Sequence, residues 1–283
     1  MKIGVSSYSF SKYFRQTNCD YFKICDLAKE MGFDGIEFIG LENWGMTDDC
    51  LKTAKELREY CAKIGLEIIA YTVGANFLAD DINAEMQRVK GCIDVAHALG
   101  APIFRHDVVY QLKDQRLYNY RSAIKEIAPL INEISNYAKA KNIKTCTENH
   151  GYVFQASERV EELILAVGNP NYGWLCDMGN FLCVDEDPIK AVSVAAPYTF
   201  HVHAKDFLFK KGGEDKVPGF DLTTAGGNYL RGTVIGHGVV PVHSCINALK
   251  KAGYDGWVSV EFEGLEDCLD AIQLGYKYLK SIV

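Results

Sequence analysis

Four short β-prone runs in the second half of this 283-residue chain end on groups that bind metals or move protons. They read Thr147-Glu148-Asn149-His150, Cys176-Asp177-Met178-Gly179-Asn180, His201-Val202-His203-Ala204-Lys205-Asp206 and Val258-Ser259-Val260-Glu261-Phe262. If the four lie side by side, Glu148, Asp177, His203 and Glu261 reach one rim. Three carboxylates crowded there repel one another, which raises their pKa values and costs stability unless a cation lies between them. With an imidazole as the fourth group they make an O3N set suited to Mn2+, Co2+, Zn2+ or Mg2+. A single strand-end Glu is ordinarily explained by a salt bridge to a rim Lys or Arg. Four such groups at matching depth on consecutive strands are not.

Strand alternation sorts the neighbours of these four. His201 shares a face with His203 but lies two residues deeper, as a core histidine or a support for His203. Lys205, two residues beyond His203, stands near the mouth, where a rim salt bridge and a substrate contact are equal readings. His150 shares its face with Glu148 one step further out, where a proton shuttle would stand; a capping or structural role is the plainer alternative. His106 closes the run Ile103-Phe104-Arg105-His106 and is a substrate-contact candidate by position alone. Trp44, Tyr8 and Phe10 follow early strands and either wall a sugar pocket or simply pack.

The elements that must position these groups follow from a repeated junction. An amphipathic stretch ends at a Gly or Asn (Gly32, Gly65, Gly100, Asn142 and Gly253) and a β-prone run follows at once. Gly and Asn are the residues that adopt a left-handed helix terminator at least cost. Helix followed closely by strand, repeated along the chain, means βα units and a mostly parallel sheet. Strands are expected near 2–7, 34–39, 66–73, 102–107, 143–149, 173–177, 199–205 and 257–262. Helices fit at 48–64 (capped by Thr47 or Asp48), 82–99, 116–141, 157–167, 187–194, 241–252 and 266–280. Eight such units make a (β/α)8 TIM barrel, an α/β fold whose chemistry lies at the C-terminal ends of the strands. The rival, an open dinucleotide-binding sheet, should show G-x-G-x-x-G after the first strand, and Gly4 stands alone there.

Composition bounds the function. Thirty basic against thirty-seven acidic residues give a net charge of −7, which argues against a nucleic-acid-binding surface. No apolar run approaches the ~18 residues needed to span a bilayer, and the N-terminal residues lack a secretory h-region. The ten cysteines are scattered singly, with no C-x-x-C, so a reduced, cytoplasmic protein is expected. One domain is expected over 1–283. Residues 206–240 carry eight glycines and no sustained periodicity, and are expected to form a long mobile loop over the site. In that loop Phe207, Phe209, Phe220 and Tyr229 would cover a sugar, and Arg231 or His237 would reach its oxygens.

At GFDGIEF, TENH, CDMGN, HVHAKD, the GHG-VVP segment at 236–241 and GYDGWVSVEFEG, the sequence resembles the xylose-isomerase-like barrels of the sugar phosphate isomerase/epimerase branch. The resemblance covers essentially the whole chain. It implies one divalent cation, Mn2+ foremost, held by the residues matching Glu148, Asp177, His203 and Glu261. It also implies that Glu148 and Glu261 pass a proton through an enediolate of a sugar, keto-sugar or cyclitol. Two departures touch the mouth: Asn180 stands where several relatives carry His, and His237 where many carry Glu. Both are counted with the substrate contacts. DNA-repair endonucleases share the barrel, but their trinuclear zinc site needs many more histidines. The alternative reading is a lyase, either a dehydratase or the metal-bearing subunit of an enzyme cleaving 3-oxo-glycosides, with His150 as base. The first reading implies a small-molecule partner and a homo-oligomer by analogy with relatives, the second a hetero-oligomer. A metal-stabilised sugar-binding protein is the non-enzymatic alternative, in which two opposed carboxylates would be superfluous.

Overall fold

The computed structural model describes residues 1–41, 49–213 and 217–283. Seven strands are laid down first: β1 (Lys2–Ser6), β2 (Gly35–Ile39), β3 (Glu67–Val73), β4 (Ile103–His106), β5 (Lys144–Glu148), β6 (Tyr172–Asp177) and β7 (Thr199–Ala204). Three more, β8 (Asp206–Lys210), β9 (Leu222–Thr223) and β10 (Tyr229–Thr233), form a separate antiparallel sheet before β11 (Trp257–Val260) completes the set. β1 to β7 and β11 close into a barrel in which every pairing is parallel. The helices are α1 (Ser11–Thr17), α2 (Tyr21–Glu30), α3 (Cys50–Ile64), α4 (Ile82–Leu99), α5 (Tyr120–Lys139), α6 (Ser157–Val167), α7 (Pro188–Ala195), α8 (Val242–Lys251) and α9 (Cys268–Ile282). The fold is the TIM barrel that the sequence implies.

Local chemistry explains the joins. All five expected turning residues have positive φ: Gly32, Gly65, Gly100, Asn142 and Gly253. Asp49 caps α3, its carboxylate accepting from the Lys52 amide at 3.0 Å, so the helix starts two residues later than expected. The caps expected there, Thr47 and Asp48, lie outside the described residues. All ten cysteines are free thiols.

Alternation then builds the site in layers. Ala70, Ile103, Cys146 and Leu175 point into the barrel and form a small apolar plug against Phe200, apart from the main core between strands and helices. Two residues further along the same strands come Arg105, Glu148 and Asp177, and the same step on β7 and β11 leads from His201 to His203 and from Ser259 to Glu261. The polar mouth therefore rests directly on an apolar floor.

The segment after β7 differs from expectation. Residues 206–240 were expected to lack regular structure, yet β8, β10 and β9 pair as a three-stranded sheet. Its order comes from partners distant in sequence. The Asp185 carboxylate accepts from Thr224 Oγ1 (2.7 Å), the Gly226 amide (2.6 Å) and Asn228 Nδ2 (2.7 Å). The Tyr152 hydroxyl donates to the Thr223 carbonyl at 2.8 Å, and the Asp206 carboxylate accepts from the amides of Gly236, Gly238 and Val240. Phe207, expected to cover a sugar, is instead buried with Leu230 and Cys183.

Candidate active site

One potential ligand atom from each of Glu148, Asp177, His203 and Glu261 lies within 4.8 Å of the other three, and all four residues are buried. His203 Nδ1 is 3.3 Å from Glu261 Oε2 and 3.8 Å from both Glu148 Oε1 and Asp177 Oδ2. Ligands about 2.1 Å from one ion lie roughly 3–4 Å apart, so this spacing fits a single cation. The donors are also prepared for one. Asp177 Oδ1 accepts from the amides of Gly179 and Asn180, both at 2.8 Å, which turns Oδ2 toward the mouth. His203 Nδ1 and Asp177 Oδ2 are buried without a hydrogen-bond partner. Asn149 locks the strand beneath them, accepting from the Asp177 amide at 3.0 Å and donating to its carbonyl at 2.8 Å.

Two cationic side chains enter the same cluster. Lys205 Nζ lies 2.7 Å from Glu261 Oε2 and 3.3 Å from Asp177 Oδ2, so it makes a buried salt bridge inside the mouth. Arg105 Nη2 lies 2.8 Å from Glu148 Oε2 and 2.7 Å from Asp107 Oδ1. Asn180 bridges the two halves, donating from Nδ2 to Glu148 Oε1 at 2.8 Å and accepting from Lys205 at 3.3 Å. Burial works against the charge on Glu148 and Glu261, but Arg105 holds the first below its usual range, and His203 with Lys205 hold the second well below. Asp177 goes the other way. Burial pushes it up to about 7 despite Lys205, and the charges of Glu148 and Glu261 add to the rise. A rise of this kind on a carboxyl crowded by two others is what a nearby cation would reverse.

β2 and β4 contribute groups that strand-end reasoning passed over. Glu37, wholly buried, accepts from His203 Nε2 at 2.8 Å and from His201 Nε2 at 2.7 Å. Burial opposes its charge, yet the two imidazoles hold its carboxyl well below the usual range. His201 thus supports Glu37, deeper than the mouth. The available signal was Glu37 as the lone acid of the otherwise apolar run Gly35–Ile39. Arg105 and Asp107 were overlooked for a matter of parity: the last residue of β4 is His106, but the face toward the mouth belongs to Arg105.

His106 consequently points away from the site. Its ring stacks on Tyr172 at 5.8 Å, lies edge-on to Phe77, and bonds through Nδ1 to the Asp107 carbonyl at 2.8 Å. Its expected role as a substrate contact is corrected to a packing role. Burial lowers its pKa from 6.5 to about 4. Below pH 6.5 the unfolded chain takes up a proton that the folded chain refuses, so stability falls as pH falls toward 4. His106 should account for about 2 kcal/mol of lost stability between pH 7 and pH 5. Urea unfolding of His106→Phe should show a shallower pH dependence over that range; an unchanged slope would contradict the assignment.

The remaining candidates divide. His150 Nδ1 lies 3.1 Å from Asp107 Oδ1 above Glu148, with its side chain 51% exposed, and the Asp107 hydrogen bond raises its pKa. Arg231 lies over the Phe220 ring at 5.7 Å, with Glu266 4.0 Å away, and makes no described contact with the four ligand candidates. His237 is exposed on the turn organised by Asp206 and likewise has none. Tyr8 helps line a cleft of about 220 Å3 beside Glu263, and Phe10 is core. Trp44 lies outside the described residues.

A closed parallel barrel carrying three carboxylates and an imidazole at its C-terminal mouth defines a class of TIM-barrel proteins with a metal-type centre. The chain belongs to the xylose isomerase-like TIM barrel family, which it matches over residues 25–282. It is 27% identical over 282 residues to a probable ketose 3-epimerase of Synechocystis, covering 94% of this chain and 86% of that protein. It is 28% identical over 143 residues to an inosose dehydratase of Clostridium tetani, a match spanning 49% of this chain and only 47% of that relative. Among solved structures, the IOLI protein with a bound zinc atom superposes with a TM-score of 0.78 at 19% identity, covering 100% of this chain and 98% of that one. Relatives on this scaffold thus include both epimerases and dehydratases. No helix among the described residues is long and apolar enough to cross a membrane.

Proposed function

We propose that this protein is a divalent-metal-dependent isomerase or epimerase acting on a sugar, keto-sugar or cyclitol by proton transfer beside a carbonyl. The observation that carries the reading is the convergence of Glu148, Asp177, His203 and Glu261 on one point, with His203 Nδ1 and Asp177 Oδ2 buried without a hydrogen-bond partner. Mn2+ is the cation proposed, and Co2+, Mg2+ and Zn2+ are compatible with the same ligands. Bound there, the cation would supply Lewis-acid polarisation of a carbonyl and its neighbouring hydroxyl. The chain's own residues do the rest. One of Glu148 and Glu261, both held ionised, takes the proton beside the carbonyl, and the other returns it. Asn180 and Lys205 orient substrate oxygens at the rim.

The pairing of His150 with Asp107 favours a second reading, a lyase. There His150 takes the proton beside the carbonyl, and a group β to the resulting carbanion is expelled. The deciding experiment incubates Mn2+-loaded protein in D2O with ketoses, cyclitols and 3-oxo-glycosides, followed by NMR. Deuterium at the carbon next to the carbonyl, together with an isomeric product, is expected. Exchange with an unsaturated or cleaved product would transfer the assignment to the lyase, and tight binding without exchange would leave a binding protein.

A further inference from the structure

Glu37 sits in the wall of the barrel with no solvent contact, and three donors converge on its carboxylate. His203 Nε2 lies 2.8 Å from Oε1, His201 Nε2 lies 2.7 Å from Oε2, and the Ser259 hydroxyl donates to Oε2 at 3.2 Å. A carboxylate only accepts, so each histidine must place its proton on the Nε2 that faces Glu37. In the neutral ring that metal ligation requires, this leaves the lone pair of His203 on Nδ1. That nitrogen has no hydrogen-bond partner and faces Glu148, Asp177 and Glu261. Glu37, His201 and His203 are themselves metal-ligand types in a cluster. Their direct separations of 2.7 and 2.8 Å are hydrogen-bond lengths, however, and an ion between them would need its own ~2.1 Å from each. The gap is filled by protons.

We infer that Glu37 is a positioning residue: it fixes His203 in the Nε2–H tautomer and aims the Nδ1 lone pair at a cation shared with Glu148, Asp177 and Glu261. His201 and Ser259 fix Glu37 in turn. The inference rests on the cation-site reading above and adds a residue of β2 to it. Carboxylate partners of this kind set the ring orientation and basicity of a ligating histidine, and their loss typically weakens metal affinity 10–100-fold.

The test is Co2+ binding by the full chain and by Glu37→Gln, using competition against a chelating dye and the visible Co2+ spectrum. The variant should bind Co2+ roughly 10–100-fold more weakly, with an altered spectrum, while metal-free melting curves show that it still folds. Affinity and spectrum matching the unsubstituted protein would overturn the role of Glu37. So would two Co2+ ions per chain, because the cluster of Glu37, His201 and His203 would then be a site in its own right. A measurement on the unsubstituted protein covers the case of a variant that does not fold. Long-range 1H–15N spectra of the Zn2+-loaded chain should show the His203 proton on Nε2 and the metal on Nδ1, and the reverse arrangement overturns the inference. If the unsubstituted chain binds no Co2+ at all, the cation-site reading itself fails, and Glu37 with it. That outcome is distinct from normal binding by both proteins.

Discussion

Stripping divalent metal from this protein should abolish turnover and lower its melting temperature by roughly 5 °C, and added Mn2+ or Co2+ should restore both. The expectation comes from the charge balance of the mouth. Glu148 is matched by Arg105 and Glu261 by Lys205. Asp177 has only a share of Lys205, 3.3 Å away, and burial with its acidic neighbours pushes its carboxyl to about 7. A cation that binds the folded chain relieves this by mass action: at a concentration one hundred times its Kd it adds about 2.7 kcal/mol. The ligands must shed their protons to bind it, so the stabilisation should shrink on acidification. Calorimetric melts with EDTA and with Mn2+, alongside turnover of the substrate identified in D2O, provide the check. Full activity after chelation and dialysis, with an unmoved melting temperature, would contradict the site.

The barrel and its four ligand candidates were legible for one physical reason: each depends on information local to a strand or a helix end. A left-handed terminator at Gly65 or Gly100 is a property of a few residues, and so is a strand that finishes on Asp177 or Glu261. What was not legible depends on neighbouring strands. Whether Arg105 or His106 faces the mouth is set by the register of β4 against β3 and β5. The partnership of Glu37 with His203 joins residues 166 apart in sequence and across the barrel interior. The sheet of β8 to β10 has the same character. Its strands are short, and the contacts that order it come from Asp185, Tyr152 and Asp206. Arg231 and His237 were assigned to the pocket because their segment leaves β7 on the catalytic face. The sheet carries the first to Glu266 and the Asp206 turn leaves the second exposed.

Substitution should separate the residues that move protons from those that hold them in place. In the isomerase reading, Glu148→Gln and Glu261→Gln should each remove most of the turnover, whereas His150→Ala should weaken it only modestly. Both glutamates are also ligand candidates, so each variant must be compared at saturating Mn2+ with its metal content measured. A loss that persists at full loading reports proton transfer. His150 stands differently. It is bonded to Asp107, which Arg105 also contacts, and its ring is half-exposed. In the lyase reading it is the base, and His150→Ala should cost on the order of 10²–10⁴-fold, the usual size of a general-base contribution. Asp107→Asn should then follow His150→Ala in kind, because the amide no longer offers the charged acceptor that orients the imidazole and raises its pKa. Deuterium exchange at the substrate carbon adds a second readout. If His150 is the base, exchange disappears with turnover in His150→Ala; if a glutamate is, exchange survives there and disappears in the Gln variant. Equal and small effects at all three positions would contradict both schemes, because each scheme assigns the base to one of the three.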